Sequence, residues 1–529
     1  MKKILYIAIA ALAFTQCNTD QLQNLNINPQ AVNQIDMNFL FSASLVGIAS
    51  NGSSGDNRYT DWRTNIGMCA YAMQHLGNVG GGIAPGDKYT DNGETVAAPF
   101  DFTYADQLKN ITEVLKQTGK GGYDEGHKVN MRNAARIVRA LAYHRLVDFY
   151  GNVPYTEANK GTDGLFFPKY DDGKAIYTDL LKELDEACAT LSASNPDEGF
   201  KQADFIYKGD VAKWKKFGYS LMLRLAMRAS DADAGLAGTY VSKAIAGGVM
   251  TDNSDNFVVP QATGPSQWTN QNGISRAFYP GDGGQPSFLG RTLIDFLKGK
   301  DKTTVADDDP RLMIISGGIA TWNAKDFTVI DGNPLNQKGM PNGYDQTGLN
   351  ALEGKTVDLD ATYSKINFKM MQLDEPYMLM NYGEVELLLA NAKLKGIGNV
   401  SGTDKQHYDA GVKAAMQMYT VYDPSLTVSD AAVTAYLTTY AYGVYKPAIE
   451  MIGEQLWVSK FLNWYDAWSD WRRLDFPKLV PTNHPSTVTG GVIPVRLRYP
   501  TSEVAANPNL ATTGTKPDNY LTKVWWDKN

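Results

Sequence analysis

Few cysteines and few histidines occur in this sequence, which limits the chemistry it can carry. The 529 residues include three cysteines and five histidines. Cys69 and Cys188 are each far from any other cysteine in sequence, so a disulfide framework is excluded. No two histidines have the i, i+4 spacing of a helical zinc site. A metalloprotease of that type is therefore not predicted.

Basic clusters and long apolar runs are also missing. The formal net charge is −7, the isoelectric point is about 5.4, and no dense run of Lys or Arg follows Lys3. A protein that binds nucleic acid would show a basic footprint, so we predict no nucleic-acid partner. Beyond the first residues, no hydrophobic run approaches the roughly 20 residues that span a bilayer. Any attachment to a membrane must therefore come from lipid.

Familiar motifs of hydrolases and nucleotide-binding proteins are absent. The chain has no G-x-S-x-G elbow and no G-x-x-x-x-G-K-[ST] loop. A glycosidase needs only two carboxylates facing one sugar, so the adjacent acids Asp374/Glu375 and Glu384/Glu386 leave a secreted glycoside hydrolase as an alternative. We interpret Glu384 and Glu386 as acids that open a helix, where the helix dipole favours negative charge.

The acidic run at residues 307–309 raises the question of calcium. Three consecutive aspartates offer the carboxylate oxygens that Ca²⁺ prefers. The spaced ligands and the glycine of an EF-hand loop are missing, so we interpret the run as a solvated turn. No cofactor and no metal site is predicted.

The first residues are typical of an export signal. Lys2 and Lys3 precede an uncharged run of eleven residues, 4–14, too short to span a bilayer as a mature helix. The run leads to Cys17, at the position where bacterial lipoproteins are acylated after cleavage. We expect a lipoprotein signal peptide at residues 1–16, a lipidated tether at 17–34 and a single domain at 35–529.

Apolar residues recur at helical spacing in two parts of the chain. The spacing predicts helices over 132–150, 174–191, 210–230, 382–395 and 408–422, and one long helix from Ala448 through Trp471. Paired helices of this length, with Ala on the packed faces, resemble divergent tetratricopeptide units, and we count about four pairs. The predicted fold class is all-α, with a tetratricopeptide-like core of helical pairs and long irregular loop insertions.

Three tryptophans near the C-terminus share one face of a predicted helix. Trp464, Trp468 and Trp471 are spaced by four and three residues. This spacing predicts that they fill the core or a seam between helices. A platform for stacking sugars is the alternative.

Several segments, taken in order, resemble the SusD/RagB-like outer-membrane lipoproteins. The matching segments are ARIVRALAYHRLVDFYGNVPY at 135–155, WKKFGYSLMLRLAMRAS at 214–230, DPRL at 309–312, YGEVELLLANAKLKG at 382–396, FLNWYDAWSDWRRLDFPKL at 461–479 and IPVRLRYPTSEVAANPNL at 493–510. The resemblance implies a non-enzymatic lipoprotein that faces the cell surface and captures oligosaccharides for a SusC-like TonB-dependent transporter. Some relatives capture peptides, so a peptide ligand is a further alternative.

The resemblance also implies a ligand site on a loop-built surface outside the helical repeats. Long loops rich in Gly, Asn, Asp, Thr and Pro occur near 51–103 and 250–375, where we also expect a few short strands. Isolated rings and polar residues in these loops form the predicted site: Arg58, Tyr59, Trp62, Asn65, Trp268, Tyr279, Asp282 and Trp322. Exposed rings rimmed by polar groups are typical of binding surfaces.

Overall fold

A computed structural model describes residues 34–50, 57–80, 84–197, 199–264, 270–323 and 326–529. The predicted signal peptide, the lipidation site Cys17 and nearly all of the predicted tether lie outside these ranges. Within them, no helix combines the length and the apolar character needed to cross a bilayer.

Helices make up most of the described chain. The α-helices are α1 Met37–Ala49, α2 Pro85–Lys88, α3 Gly93–Phe102, α4 Lys109–Gln117, α5 Val129–Tyr150, α6 Gly173–Thr190, α7 Phe200–Ala203, α8 Val211–Arg228, α9 Ala234–Gly247, α10 Gly273–Phe278, α11 Arg291–Leu297, α12 Leu312–Ile315, α13 Gln346–Glu353, α14 Tyr382–Lys395, α15 Asp404–Gln417, α16 Asp430–Thr439, α17 Ala448–Ser459, α18 Trp464–Leu474, α19 Thr501–Ala506 and α20 Leu510–Thr513. Two further segments, Asp61–Ala70 and Thr103–Leu108, are π-helical.

Four helical pairs form the scaffold. The helices α5 and α6, α8 and α9, α14 and α15, and α17 and α18 pack against each other, and contacts of α6 with α8, α8 with α14 and α14 with α17 join successive pairs. The all-α, tetratricopeptide-like fold predicted from sequence is confirmed. The predicted helices 132–150, 174–191, 210–230 and 382–395 agree with α5, α6, α8 and α14 to within three residues.

The predicted single helix from Ala448 through Trp471 is wrong, because the chain turns between α17 and α18. Leu462 has a φ of +79°, in the left-handed region. The turn lets Lys460 reach the Asp470 carboxylate in α18. Ten residues on one straight helix would place these two groups about 15 Å apart.

The three tryptophans of α18 are buried, as predicted. Trp464 and Trp468 are fully enclosed, and Trp471 is 9% exposed. Each indole nitrogen donates a hydrogen bond inside the protein: Trp464 to His75 Nδ1 at 2.9 Å, Trp468 to the carbonyl of Pro494 and Trp471 to that of Pro477. The rings are therefore unavailable as a stacking platform for sugars.

The long insertions contain a small sheet as well as loops. The strands are β1 Leu76–Gly77, β2 Val153–Pro154, β3 Tyr170–Asp171, β4 Phe257–Val259, β5 Phe288–Leu289, β6 Ser316–Trp322, β7 Phe327–Asp331, β8 Ser364–Ile366 and β9 Tyr377–Met380. Five of them pair in the antiparallel order β1-β5-β8-β6-β7. The sheet joins the early insertion, through β1, to the insertion between the second and third helical pairs.

Buried ion pairs tie the scaffold together at its centre. Arg224 in α8 donates to both carboxylate oxygens of Glu384 at 2.6 and 2.7 Å, and to Asp466 in α18 at 3.0 Å. Lys460 lies 3.0 Å from the same Glu384. Glu386, by contrast, contacts His407 at 2.6 Å. The two acids at the start of α14 therefore serve separate structural contacts rather than facing one substrate.

Candidate ligand-binding site

The residues predicted at the start of the site lie on a helix rather than in a loop. Helical turns begin at Tyr59 and continue into the π-helix Asp61–Ala70, a conformation that recurs at functional sites. This helix packs against α3 and α10. Arg58, Tyr59 and Trp62 are half-buried, so parts of these side chains remain accessible.

Cations cover part of the Trp62 ring. The guanidinium carbon of Arg63 lies 4.2 Å from the ring centroid, and that of Arg58 lies 5.7 Å away. Arg63 also pairs with Glu94 of α3 at 2.5 Å. Tyr59 packs edge-on against Phe102, which also belongs to α3, with 5.4 Å between the ring centroids. Contacts with α3 thus hold both rings in place.

Asn65 lies in the interior, which corrects its assignment to a surface loop. Its amide nitrogen donates to Asp61, to the Tyr377 hydroxyl and to the carbonyl of Leu462, at 3.1 to 3.2 Å. Its oxygen accepts from the backbone of Tyr465. Because the side chain is fully buried and satisfied, a direct contact with ligand is not available to Asn65 in this conformation.

Tyr279 and Trp322, which are 43 positions apart in the chain, meet in one aromatic cluster. Their ring centroids are 6.4 Å apart in an edge-on arrangement. Trp322 also contacts Phe327 and Phe368 at 5.9 and 5.6 Å and is only 8% exposed. Tyr279, at the end of α10, is half-buried and forms the accessible part of this pair. Trp268 and the side chain of Asp282 lie outside the described part of the chain.

A close contact joins the segment that carries Tyr59 and Trp62 to the segment that ends at Tyr279. Asn57 accepts a hydrogen bond of 2.5 Å from Arg276 of α10, three residues before Tyr279. A Cβ at Gly273 would lie 2.5 Å from a carboxylate oxygen of Asp61, so only glycine permits this approach. We call the surface formed by Arg58, Tyr59, Trp62 and Tyr279, with the buried Trp322 packed against Tyr279, the insertion face. Sequence patterns did not reveal the contacts of Asn57 and Arg276, because buried polar partners far apart in the chain leave no periodic signal.

A small polar cavity lies behind the insertion face. It has a volume of about 30 Å³, enough for a water molecule, and Thr60, Asp61 and Arg145 contribute to its lining. Asp61 Oδ2, Thr60 Oγ1 and Arg145 Nη2 have no hydrogen-bond partner among the described residues. Burial raises the pKa of Asp61 to about 7, against hydrogen bonds from Tyr377 and Asn65 that lower it.

Two of the three aspartates at 307–309 make contacts within the protein, which corrects the interpretation of the run as a solvated turn. Asp309 is buried and pairs with Arg311 at 2.6 Å. Asp307 accepts hydrogen bonds from the backbone nitrogens of Lys300 and Asp301. Nowhere in the described ranges do three or more His, Cys, Asp or Glu side chains cluster as a metal site would require.

Comparisons with known proteins identify the family. Residues 29–500 match the model of the SusD-like family described as "Starch-binding associating with outer membrane". The chain therefore belongs to the SusD-like family. The family description assigns a carbohydrate-binding role and an association with the outer membrane, and its members are binding proteins rather than enzymes.

Solved structures support the same fold over nearly the whole chain. A chitin-binding protein is 29% identical, with a TM-score of 0.76 over 93% of this chain and 100% of that one. A SusD-like protein described as Bacteroidetes AC2a is 24% identical, with a TM-score of 0.78 over 94% of this chain and 100% of its own. A chitin-binding SusD homologue from Flavobacterium johnsoniae is 22% identical, with a TM-score of 0.71 over 93% and 99% of the two chains. A search of curated proteins returns no significant match.

Proposed function

We propose that this protein captures oligosaccharides on the insertion face and delivers them to a SusC-like TonB-dependent transporter. The observation that carries the proposal is the contact between two separate chain segments that each bring accessible rings to this face. Tyr59 and Trp62 lie on one segment, and Tyr279 ends the other. Sugar rings can pack their C–H faces on such side chains, while Arg58 offers hydrogen bonds to hydroxyl groups. A few placed polar groups among apolar ones are typical of ligand sites.

Oligomers of N-acetylglucosamine are the ligand class that we propose first. The support is the chitin-binding protein that is 29% identical to this chain over 93% of its length.

Titration calorimetry with chitohexaose, cellohexaose and maltohexaose tests the proposal. We expect chitohexaose to bind the wild-type protein, and Trp62→Ala and Tyr279→Ala each to weaken binding by about 1–2 kcal/mol, as the loss of an interface anchor does. Phe166→Ala is the control, since Phe166 is 73% exposed in the loop between β2 and β3. Trp322→Ala is a poorer probe because Trp322 also packs against Phe327 and Phe368.

Unchanged affinity in both variants, with an unchanged melting temperature, would remove the insertion face as the site. Binding of peptides but of none of the three sugars would favour the peptide-capturing alternative. Binding of maltohexaose or cellohexaose instead of chitohexaose would overturn the ligand class while retaining the glycan-capture function.

We further propose that the protein is held at the outer membrane by lipid on Cys17 and faces the cell surface. The family description supports association with the outer membrane. Lipid is the attachment that the sequence offers, because the apolar run at 4–14 is too short for a membrane span.

A further inference from the structure

A second cleft, lined by tyrosines, opens between α11, α16 and α17. Its volume is about 280 Å³, and Phe296, Tyr408, Tyr436, Tyr440 and Tyr445 contribute rings to its lining. We call it the tyrosine cleft. It shares no residue with the insertion face, and no part of it was predicted as a ligand site.

Rings at the mouth of the cleft are held in a fixed arrangement. Tyr440 lies 4.8 Å from Tyr436 and 4.9 Å from Tyr445, centroid to centroid. The Lys300 ammonium lies 4.8 and 4.2 Å from the rings of Tyr440 and Tyr445. Tyr445 is 38% exposed, so its ring forms an accessible wall.

Tyr408 lies deeper in the cleft. Tyr408 is 1% exposed and lines the cleft, and no hydrogen bond joins its hydroxyl to another described residue. The neighbouring phenols are occupied: Tyr436 accepts from Gln455, and Tyr440 donates to the carbonyl of Asp307. Because no described residue hydrogen-bonds to the Tyr408 hydroxyl, a ligand hydroxyl can bond to it in place of water.

Charges around the cleft are balanced, which favours a neutral ligand. The Glu454 carboxylate is 7% exposed and pairs with Lys446, which also lies 3.0 Å from Glu450. A cation would compete with Lys446 and Lys300 for these acids and rings. An anion would approach both Glu454 and Asp295.

We propose that the tyrosine cleft is a second saccharide site, which takes one or two neutral pyranose units. Aromatic walls, carboxylate acceptors and an unpaired hydroxyl are the groups that sugar C–H faces and hydroxyls require. The volume lies just below the range of about 300–1,000 Å³ for drug-sized ligands, which matches a short saccharide. Thr292 also lines a neighbouring cavity of about 410 Å³. The proposal rests on the carbohydrate-binding function proposed above.

Methyl-labelled methionine gives a local readout of the cleft, since Met451 contributes to its lining and is 3% exposed. The Met451 resonance, assigned with Met451→Leu, is followed by NMR during titration with chitobiose and with maltose. We expect a saturable shift of this resonance with one of the two sugars. The shift should persist in the Trp62→Ala/Tyr279→Ala double variant, in which the insertion face is altered.

Two variants and one control test the cleft itself. Tyr408→Phe keeps the ring and removes one hydrogen bond, so we expect about tenfold weaker binding. Tyr445→Ala removes the accessible wall and should weaken binding at least as much, whereas Val444→Ala, at an 83% exposed neighbour, should leave it unchanged. If neither sugar shifts the Met451 resonance while chitohexaose still binds the insertion face, the proposal for the cleft is overturned and the proposed function stands. If no sugar binds the wild-type protein anywhere, the proposed function fails as well.

Discussion

Single residues at the insertion face owe their roles to partners far away in the sequence. Asn65 fits a polar site residue by type, yet it bonds to Tyr377 and to the carbonyl of Leu462, more than 300 positions away. Composition and spacing do predict that rings collect in the insertions, as Tyr59, Trp62 and Tyr279 do. They cannot distinguish a ring that stays accessible from one that packs, as Trp322 does in its cluster.

Asp61 provides a test of the contacts behind this face. Burial raises its pKa from 3.8 to about 7, so folding favours the protonated form. The free energy of unfolding therefore falls as the pH rises from about 4 to 7, because the buried group must lose its proton. Asp61→Asn keeps an oxygen that can accept from Tyr377 and has no charge. We expect the variant to gain stability relative to wild type as the pH rises from 4 to 8, by up to about 4 kcal/mol at pH 8.

Urea unfolding at several pH values measures this difference. Asp163→Asn, at an exposed position, is the control and should track the wild-type protein throughout. A stability difference for Asp61→Asn that stays constant between pH 4 and 8 would contradict the inference that Asp61 gains a proton on folding.

Secondary-structure elements were predictable where one face carries a broad apolar stripe. The helices α5, α6, α8 and α14 have such stripes, and their bounds were close to those observed. The helix α9 was not predicted, because it buries only Ala237, Val241 and Ala244 and contains three glycines. The turn between α17 and α18 was missed because the helical spacing continues across it, and the contact of Lys460 with Asp470 that the turn allows has no signal in the sequence pattern.

Four leucines in the middle of these stripes test the packed faces. Leu141, Leu184, Leu221 and Leu388 are all at most 1% exposed, one on each of α5, α6, α8 and α14. Truncation of each to Ala should lower the free energy of unfolding by about 2–5 kcal/mol, through lost burial and a residual cavity. Denaturant unfolding measures the loss, and Leu352→Ala, at a 45% exposed position of α13, is the control. Losses below about 1 kcal/mol at most of the four sites would mean that the helices do not pack as described.

At the scale of the whole molecule, the scaffold and the proposed lipid anchor lie in separate parts of the sequence. Buried ion pairs link α8, α14 and α18 at the centre, where removal of one partner would leave an uncompensated charge. The predicted lipidation site, Cys17, precedes α1, which begins at Met37. We therefore expect the fold to be independent of acylation and membrane attachment to depend on it.

Cys17→Ala should release a folded protein from the membrane. Each buried methylene of an acyl chain contributes about 0.8 kcal/mol to membrane affinity, so several chains on one cysteine give durable attachment and their loss removes it. The measurement is fractionation of cells that lack the proposed partner transporter, since docking to such a transporter would otherwise retain the protein. Cys188→Ala, which alters a buried cysteine of α6, should stay in the membrane fraction. Recovery of Cys17→Ala in the membrane fraction, with a wild-type melting temperature, would show that attachment does not depend on lipid at this residue.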